Sequence, residues 1–247
     1  MKNKIVIVSH GHCDLIMTNE CLKNYDSSYE LIIKDNLGSD KLHSYCKKNN
    51  FKYLGEPFNI GFGANNNLAF ESFDSDEDDN FFILNPDVYI DQNSLDQVIQ
   101  NLIIEPNRIY GVNLFKDLEM SEFDPSARKF PTLLTLISSL LLKRNPSIID
   151  KSKLTAPTKV DWIAGSFLAM KARTFKALNG FDDNYFMYCE DTDLCYRAMK
   201  KGIDTFLLPS VKAVHLAQHN NRSILSKHFF WHLNSAFKFL IRKNLGR

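Results

Sequence analysis

The sequence predicts an α/β domain on a doubly wound sheet, with helices covering both faces. Three features lead there. Ile5-Val6-Ile7-Val8 is a continuous β-branched run, the pattern of a strand buried on both faces in a parallel sheet. Apolar runs recur at Leu31 to Ile33, Phe51 to Leu54 and Phe81 to Leu84, alternating with helical or turn-rich segments. Each run closes on polar residues, and ligands of such sheets bind outside the carboxyl ends of the strands.

The first strand, Lys4 to Ser9, ends in His10-Gly11-His12, and a helical stretch is expected from there to Tyr25. The second closes on Lys34-Asp35-Asn36 and a turn through Gly38-Ser39-Asp40. A third leads into Asn59-Ile60-Gly61-Phe62-Gly63-Ala64-Asn65-Asn66-Asn67. Gly61 and Gly63 there mark either a turn or a place where backbone comes close to a ligand. The segment has neither the third glycine of a dinucleotide fingerprint nor the lysine of a phosphate loop. A fourth strand runs into Asn85-Pro86-Asp87, where Pro86 fixes the turn and leaves Asp87 pointing off the sheet edge. An aspartate there also serves as an ordinary turn cap. The acidic run Asp74 to Asp79 lacks a recurring ligand spacing and reads as a solvated loop.

Residues 130 to 142 form an apolar segment between Arg128-Lys129 and Lys143-Arg144, too short for a bilayer span of about 20 residues. It reads as a core helix or as one lying in a membrane interface. The densest chemistry lies between Asp161 and Arg197, where Glu190, Asp191 and Asp193 place three carboxylates within four residues. The helical spacing from Leu194 to Lys201 puts these acids at a helix amino end, where capping alone would account for them. Trp162, Phe181 and Tyr185 to Tyr188 add apolar surroundings that would desolvate a carboxylate and make it more basic. Beyond Ser223, aromatic and aliphatic residues recur among His, Lys and Arg with the period of an amphipathic helix.

With 247 residues, 44% hydrophobic and 24% charged, the chain can bury a substantial core. Its net charge of +1 hides an asymmetry: no acid follows Asp204, so the tail carries +7 and the rest −6. A basic end on an acidic body suits an anionic partner such as a membrane surface or a phosphate-bearing substrate. The acidic body, with no recognised nucleic-acid motif, argues against nucleic acid. Five cysteines without a CxxC pair exclude a disulfide framework and a zinc knuckle and fit a cytoplasmic protein. The apolar run after Lys4 is too brief for a signal-peptide core, so export by that route is not expected.

Taken in order, Ser9-His10-Gly11-His12, Lys34-Asp35-Asn36, Asn59-x-Gly61-Phe62-Gly63-x-x-Asn66-Asn67, Asn85-Pro86-Asp87, Arg128-Lys129-Phe130-Pro131, Asp161-Trp162-x-x-Gly165-Ser166-Phe167 and Glu190-Asp191-x-Asp193-Leu194-Cys195 span nearly the whole chain. This constellation resembles family 2 glycosyltransferases, and most closely the bacterial O-antigen rhamnosyltransferases of the WbbL type. The resemblance implies a GT-A fold: one nucleotide-sugar-binding domain (1–222) with a mixed sheet flanked by helices, followed by a basic aromatic helix (223–247) at the membrane interface. It implies a divalent metal, Mn²⁺ or Mg²⁺, held by Asp87 and His215, with Asn85 standing where the family motif has its first aspartate. It implies that Ser9, His10, Asp35, Asn59, Gly61, Gly63, Asn66, Asn67 and Asn85 line the donor pocket. It assigns Asp191 as general base with Glu190 beside it, and Trp162, Gly165, Ser166, Tyr188 and Arg222 to the acceptor side.

The implied reaction is transfer of L-rhamnose, with inversion, from dTDP-β-L-rhamnose to a polyprenyl-diphosphate-linked sugar, by analogy N-acetylglucosamine. It would take place at the inner face of the cytoplasmic membrane, in O-antigen or surface-polysaccharide synthesis. UDP-linked galactofuranose, glucose or galactose are rival donors. A non-catalytic sugar-nucleotide-binding module is the rival that Asn85 favours.

Overall fold

The computed structural model describes residues 1–56, 60–142, 145–216 and 227–245. Its strands are β1 (Asn3–Ser9), β2 (Tyr29–Asp35), β3 (Lys52–Leu54), β4 (Asn80–Leu84), β5 (Val88–Tyr89), β6 (Arg108–Phe115), β7 (Ala127–Arg128), β8 (Thr158–Val160), β9 (Trp162–Ile163), β10 (Phe167–Lys171) and β11 (Asp204–His215). Its helices are α1 (Cys13–Thr18), α2 (Asp40–Lys48), α3 (Phe62–Glu71), α4 (Gln92–Ile104), α5 (Leu133–Leu142), α6 (Ala172–Ala177), α7 (Glu190–Lys200) and α8 (Lys227–Asn244).

The main sheet has the order β3-β2-β1-β4-β10-β6-β11-β5, with β8 also on β11; β7 and β9 form a separate ribbon. The four amino-terminal strands of this sheet are parallel, as are β6 and β11. Strand β10 runs antiparallel between β4 and β6, and β5 and β8 run antiparallel to β11. The sheet is therefore mixed, as the resemblance implies, although the apolar runs alone do not give strand direction. Burial pattern reports that a strand is covered, whereas its direction follows from connections that a local pattern does not encode.

The β-branched run of β1 divides its side chains between two cores. Ile5 and Ile7 join Ile16, Leu42, Leu95 and Val98 on one face. Val6 and Val8 join Ala69, Phe175, Leu194 and Ala198 on the other. Alternate residues of a strand face opposite sides, so a strand between two helical layers needs apolar residues at every position.

Local chemistry sets the helix ends. Ser39 caps α2 through the N–H of Leu42, and Asp91 caps α4 through the N–H of Ser94 at 2.7 Å. Helix α1 stops at Thr18, short of the expected Tyr25, because Asn19 starts a 3₁₀ turn: its side chain accepts from Cys21 N–H and donates to the Val88 carbonyl at 2.8 Å. The acidic run is not wholly solvated either, since buried Asp79 accepts the Lys2 N–H at 2.6 Å and Asp78 pairs with Arg173.

Helix α8 packs on α7. Phe239 joins Phe130, Trp162, Tyr185 and Tyr196, while Ala236 and Leu240 meet Leu136 of α5. The two helices are also joined electrostatically: fully buried Asp193 of α7 takes Arg197 Nε and Arg242 Nη1, each at 2.6 Å, and Arg242 reaches Asp182 at 2.5 Å. The third carboxylate of the acidic cluster thus has a structural task. Asp193→Ala removes the buried anion that two partly buried guanidinium groups share, leaving Arg242 with Asp182 and Arg197 with main-chain carbonyls, and should lower the unfolding free energy by about 3 kcal/mol; urea denaturation showing a loss under about 1 kcal/mol would contradict that role.

Candidate active site

The carboxyl ends of β1, β2, β4, β6 and β11 lie along one sheet edge. Because β10 is reversed, its amino end, preceded by Gly165 and Ser166, comes to the same edge. The Asn85 N–H donates to the Ser166 carbonyl at 3.0 Å, and the Gly165 N–H donates to Asp191 Oδ2 at 2.8 Å. Two residues thereby connect the turn after β4 to the first turn of α7.

Pairing of β11 with β5 sets His215 opposite Val88 and brings its Nε2 within 3.4 Å of Asp87 Oδ1. The Asn85 amide lies 3.4 Å from the same nitrogen, and Nδ1 is 2.9 Å from Asp124 Oδ2. Burial alone would lower the His215 pKa, but the bonds to Asp124 and Asp87 outweigh it and push it up to about 9. Asp87 answers in kind: burial would raise its carboxyl, yet the bond to His215 and its charge hold it below the usual range. Asp124 was not legible as a site residue. It lies in a turn 91 positions from His215, and only the fold supplies the pairing.

These residues fit a divalent ion. Asp87 and His215 offer oxygen and imidazole nitrogen side by side, and Asp124 holds Nδ1 so that Nε2 faces the Asp87 carboxylate. That is the carboxylate–histidine support common to metal-binding imidazoles. Among the described residues no three His, Cys, Asp or Glu side chains group for a metal. An ion held here therefore needs ligands from a bound phosphate or from water, the usual manner for Mg²⁺ and Mn²⁺ in nucleotide sites.

On the β1–β2 side, Ser9 is fully buried with its Oγ 3.3 Å from the His12 N–H, while His10 is exposed and its N–H donates to His12 Nδ1 at 3.0 Å. His12 stands in the field of both Asp87 and Asp35, though burial dominates and keeps its pKa low. Asp35, 1% exposed, receives the N–H groups of Leu37 and Ser39 and the Tyr53 hydroxyl, so its carboxylate organises the turn after β2.

Gly61 and Gly63 make room for protein. A Cβ on Gly61 would overlap the Phe186 carbonyl, which accepts the Phe62 N–H at 3.2 Å, and one on Gly63 would stand 2.8 Å from Phe181 Cβ. Asn67 continues that contact, accepting the Phe181 N–H and donating to its carbonyl, both at 2.9 Å. Asn66 is fully buried with Nδ2 on the Phe62 carbonyl, and its Oδ1 has no partner within the protein.

The acids themselves open α7 after two consecutive left-handed residues, Tyr188 (φ 70°) and Cys189 (φ 65°). Such residues carry strain and recur at functional sites. Glu190 is 6% exposed, and its Oε2 has no hydrogen-bond partner within the protein. Burial and the neighbouring Asp191 charge raise its pKa. Burial raises that of half-buried Asp191 too, against the opposing pull of the Gly165 and Thr192 N–H groups and the Arg128 charge.

Ser166 Oγ is a further buried group without a partner, beside Asp191 and Asn85. Trp162 is 9% exposed, packs in the α7–α8 cluster, and donates its indole N–H to the Lys129 carbonyl at 3.0 Å. Tyr188 turns its hydroxyl to His228 Nδ1 at 3.0 Å. Asn59 and Arg222 lie outside the described residues. A cavity of about 810 Å³ between α3 and α6 is lined in part by Asn67 and does not include Glu190, Asp191 or Asp193.

The family model described as the N-terminal domain of galactosyltransferase matches residues 147–220, which include β10, α7 and His215. Rhamnosyltransferase WbbL of Escherichia coli (strain K12) is 39% identical over 98% of this chain and 93% of its own. The N-acetylglucosaminyl-diphospho-decaprenol L-rhamnosyltransferase of Mycobacterium tuberculosis is 28% identical over 80% of this chain and 69% of its own. Among solved structures, GalNAc-T7 with UDP, GalNAc and Mn²⁺ superposes with a TM-score of 0.69 at 13% identity, over 96% of this chain and 47% of that one. The mannosyltransferase PcManGT from Pyrobaculum calidifontis, in complex with GDP-Man and Mn²⁺, gives 0.64 at 15%, over 98% and 64%. At such identities the likeness is one of fold, and the fold is GT-A.

A buried acid with a raised pKa is stabler protonated, so in the native state Glu190 holds its proton to higher pH than in the unfolded chain. Stability therefore falls as pH rises above the ordinary carboxylate range. Glu190→Gln should melt at a higher temperature than the parent protein, with the gap wider at pH 8 than at pH 5; equal melting temperatures at pH 8 would show that the carboxylate is not held at a cost.

Proposed function

The chain belongs to the family 2 glycosyltransferases of the WbbL type and is a hexosyltransferase, and we propose that it transfers L-rhamnose from dTDP-β-L-rhamnose, with inversion, to N-acetylglucosamine carried on a polyprenyl diphosphate. Supporting the donor is the 39% identity with an E. coli rhamnosyltransferase across nearly the whole chain. Supporting the acceptor is the mycobacterial relative, whose name specifies an N-acetylglucosaminyl-diphospho-decaprenol acceptor and L-rhamnose. The reaction belongs to O-antigen or related surface-polysaccharide synthesis, at the inner face of the cytoplasmic membrane. The attachment proposed there is peripheral; no helix among the described residues is long and apolar enough to cross a membrane.

The observation that carries the mechanism is the Gly165-Ser166 bridge, bonded to Asp191 on one side and to Asn85 on the other. Asp191 takes the proton of the acceptor hydroxyl as that oxygen bonds to the anomeric carbon and the bond to the nucleoside diphosphate breaks on the opposite face. Burial suits it to this task by raising its basicity, while the Gly165 N–H fixes its orientation. Glu190 lies beside it, its own proton retained by burial and by the Asp191 charge. Asp87 and His215 are the residues that would hold a divalent ion, and the chemistry it would supply there is neutralisation of charge on the leaving diphosphate. Imidazole favours Mn²⁺ over Mg²⁺. Ser9, His10, Asp35 and the 59–67 segment with Asn85 form the nucleotide side, and Ser166, Tyr188 and Arg222 the acceptor side.

A second reading, transfer of a UDP-linked hexose such as galactose, is favoured by the galactosyltransferase description of the matching family model. Calorimetric titration with dTDP, UDP and GDP, each with Mn²⁺ and with chelator, separates the two. Tightest binding of dTDP, lost with chelator, is expected; preference for UDP would replace rhamnose with the second reading, and no binding at all would make the chain a non-catalytic relative.

Asp191→Asn keeps size and loses the base. Turnover should fall by about 10²-fold or more with donor affinity unchanged; undiminished turnover would move the base to Glu190 or elsewhere.

A further inference from the structure

Helix α8 has two working faces. Along one, the residues 228, 231, 235, 238 and 242, spaced by alternating threes and fours, lie on a single stripe. Each of them meets the segment that leads into Glu190 and Asp191. Arg242 pairs with Asp182 at 2.5 Å, Lys238 Nζ donates to the Asn184 carbonyl at 2.8 Å, and Ser235 Oγ donates to the Met187 carbonyl at 2.9 Å. Trp231 packs on Phe186 with ring centroids 4.9 Å apart, and His228 Nδ1 lies 3.0 Å from the Tyr188 hydroxyl. From the other side, the Phe62 N–H bonds the Phe186 carbonyl across Gly61. The loop entering the catalytic turn is clamped between the amino end of α3 and one whole face of α8.

The opposite face points outward. Phe230, Phe237 and Ile241 are 56%, 47% and 59% exposed, at positions that fall on one stripe of the helix. Beside them, α5 leaves Leu133, Leu134 and Ile137 exposed while Leu136 packs against Ala236 and Leu240. Exposed apolar residues are unremarkable singly, but six of them on two packed helices make a patch that water does not favour. Neither helix contains an acid, residues 205–247 hold seven Lys or Arg and no Asp or Glu, and Lys143-Arg144 follow α5 in the sequence.

Resting on the glycosyltransferase reading above, we propose that the outer face of α5 and α8 seats on an anionic lipid bilayer, and that the same helix, through its inner face, holds the acceptor-side loop beside Asp191 at the membrane surface. An exposed apolar stripe on a basic segment without acids is the form of a helix lying in the headgroup region, where both area and charge contribute. The strap fixes which face turns outward, because Arg242, Lys238, Ser235, Trp231 and His228 are all engaged inward. A polyprenyl-linked acceptor, whose diphosphate lies at the bilayer surface, then arrives on the side where the loop and the base meet.

The test compares the whole protein with the triple variant Phe230→Ser, Phe237→Ser, Ile241→Ser, none of which touches the loop or the acids. Flotation uses vesicles of phosphatidylglycerol mixed with phosphatidylcholine, and of phosphatidylcholine alone, at low and at high salt. The parent should float with the anionic vesicles, in part even at high salt, and the triple variant should bind at least about tenfold more weakly. Turnover of lipid-linked acceptor in vesicles should fall likewise, with turnover of a short, water-soluble acceptor unchanged. Absence of flotation, equal flotation of parent and variant, or complete release of the parent by salt would each overturn the proposal, the last leaving only the basic tail's charge at work. Melting temperature and nucleotide binding of the variant, expected to match the parent, report folding; a parent that floats but binds no sugar nucleotide would count against the glycosyltransferase reading and not against the surface.

Discussion

Strand β10 runs against both β4 and β6, with Phe167 opposite Leu84, and this reversal carries Gly165 and Ser166 to the sheet edge where parallel strands leave their carboxyl ends. Had β10 run parallel, that turn would lie at the far edge and Asp191 would lose its N–H donor. Asn85 would lose the carbonyl that anchors its turn. The main-chain bonds on either side of Ser166 are short, and they tie two parts of the site that are about a hundred residues apart. Placement of the site is thus a consequence of sheet topology before it is one of side-chain chemistry.

Electrostatics then divides the acids of α7 by their surroundings. A helix amino end favours anions by about 0.3–1 kcal/mol, whereas removing a carboxylate from water costs several. Where burial is not offset by an ion pair, desolvation wins: the pKa of Glu190 is raised, and that of Asp191 too, against the pull of Arg128 and of two N–H groups. Asp193, more deeply buried still, has Arg197 and Arg242 against it and serves as a tie between α7 and α8. Similar reasoning explains the other end of the site, where two aspartates on either side of His215 outweigh its burial and keep the ring oriented.

The two glycines at the start of α3 belong to the same construction. With Gly61 and Gly63 lacking Cβ atoms, the backbone of α3 reaches Phe186 and Phe181, and the loop before α7 is held from that side as α8 holds it from the other. The left-handed conformations of Tyr188 and Cys189 persist inside this clamp. Strain at the entrance of a catalytic turn is tolerated because packing on two sides over-determines it.

Much of this was legible in the order of residues. Unbroken apolar runs marked β1, β2 and β4, polar residues after each marked the functional edge, and the motif from Glu190 to Cys195 marked a helix amino end, because burial on two faces and capping leave local signatures. The same order of motifs identified the family. Strand direction, the partners of His215 and the separate fates of Glu190, Asp191 and Asp193 were not legible, since each depends on groups brought together from distant positions. Asp124 looks like any loop aspartate until the fold brings it to His215, and the packing of Trp162 against Phe239 of α8 is equally a matter of tertiary contact. Local sequence determines which segments form and which face each must hide; only tertiary structure decides which charges meet, because desolvation and pairing depend on distance through space and not on separation along the chain.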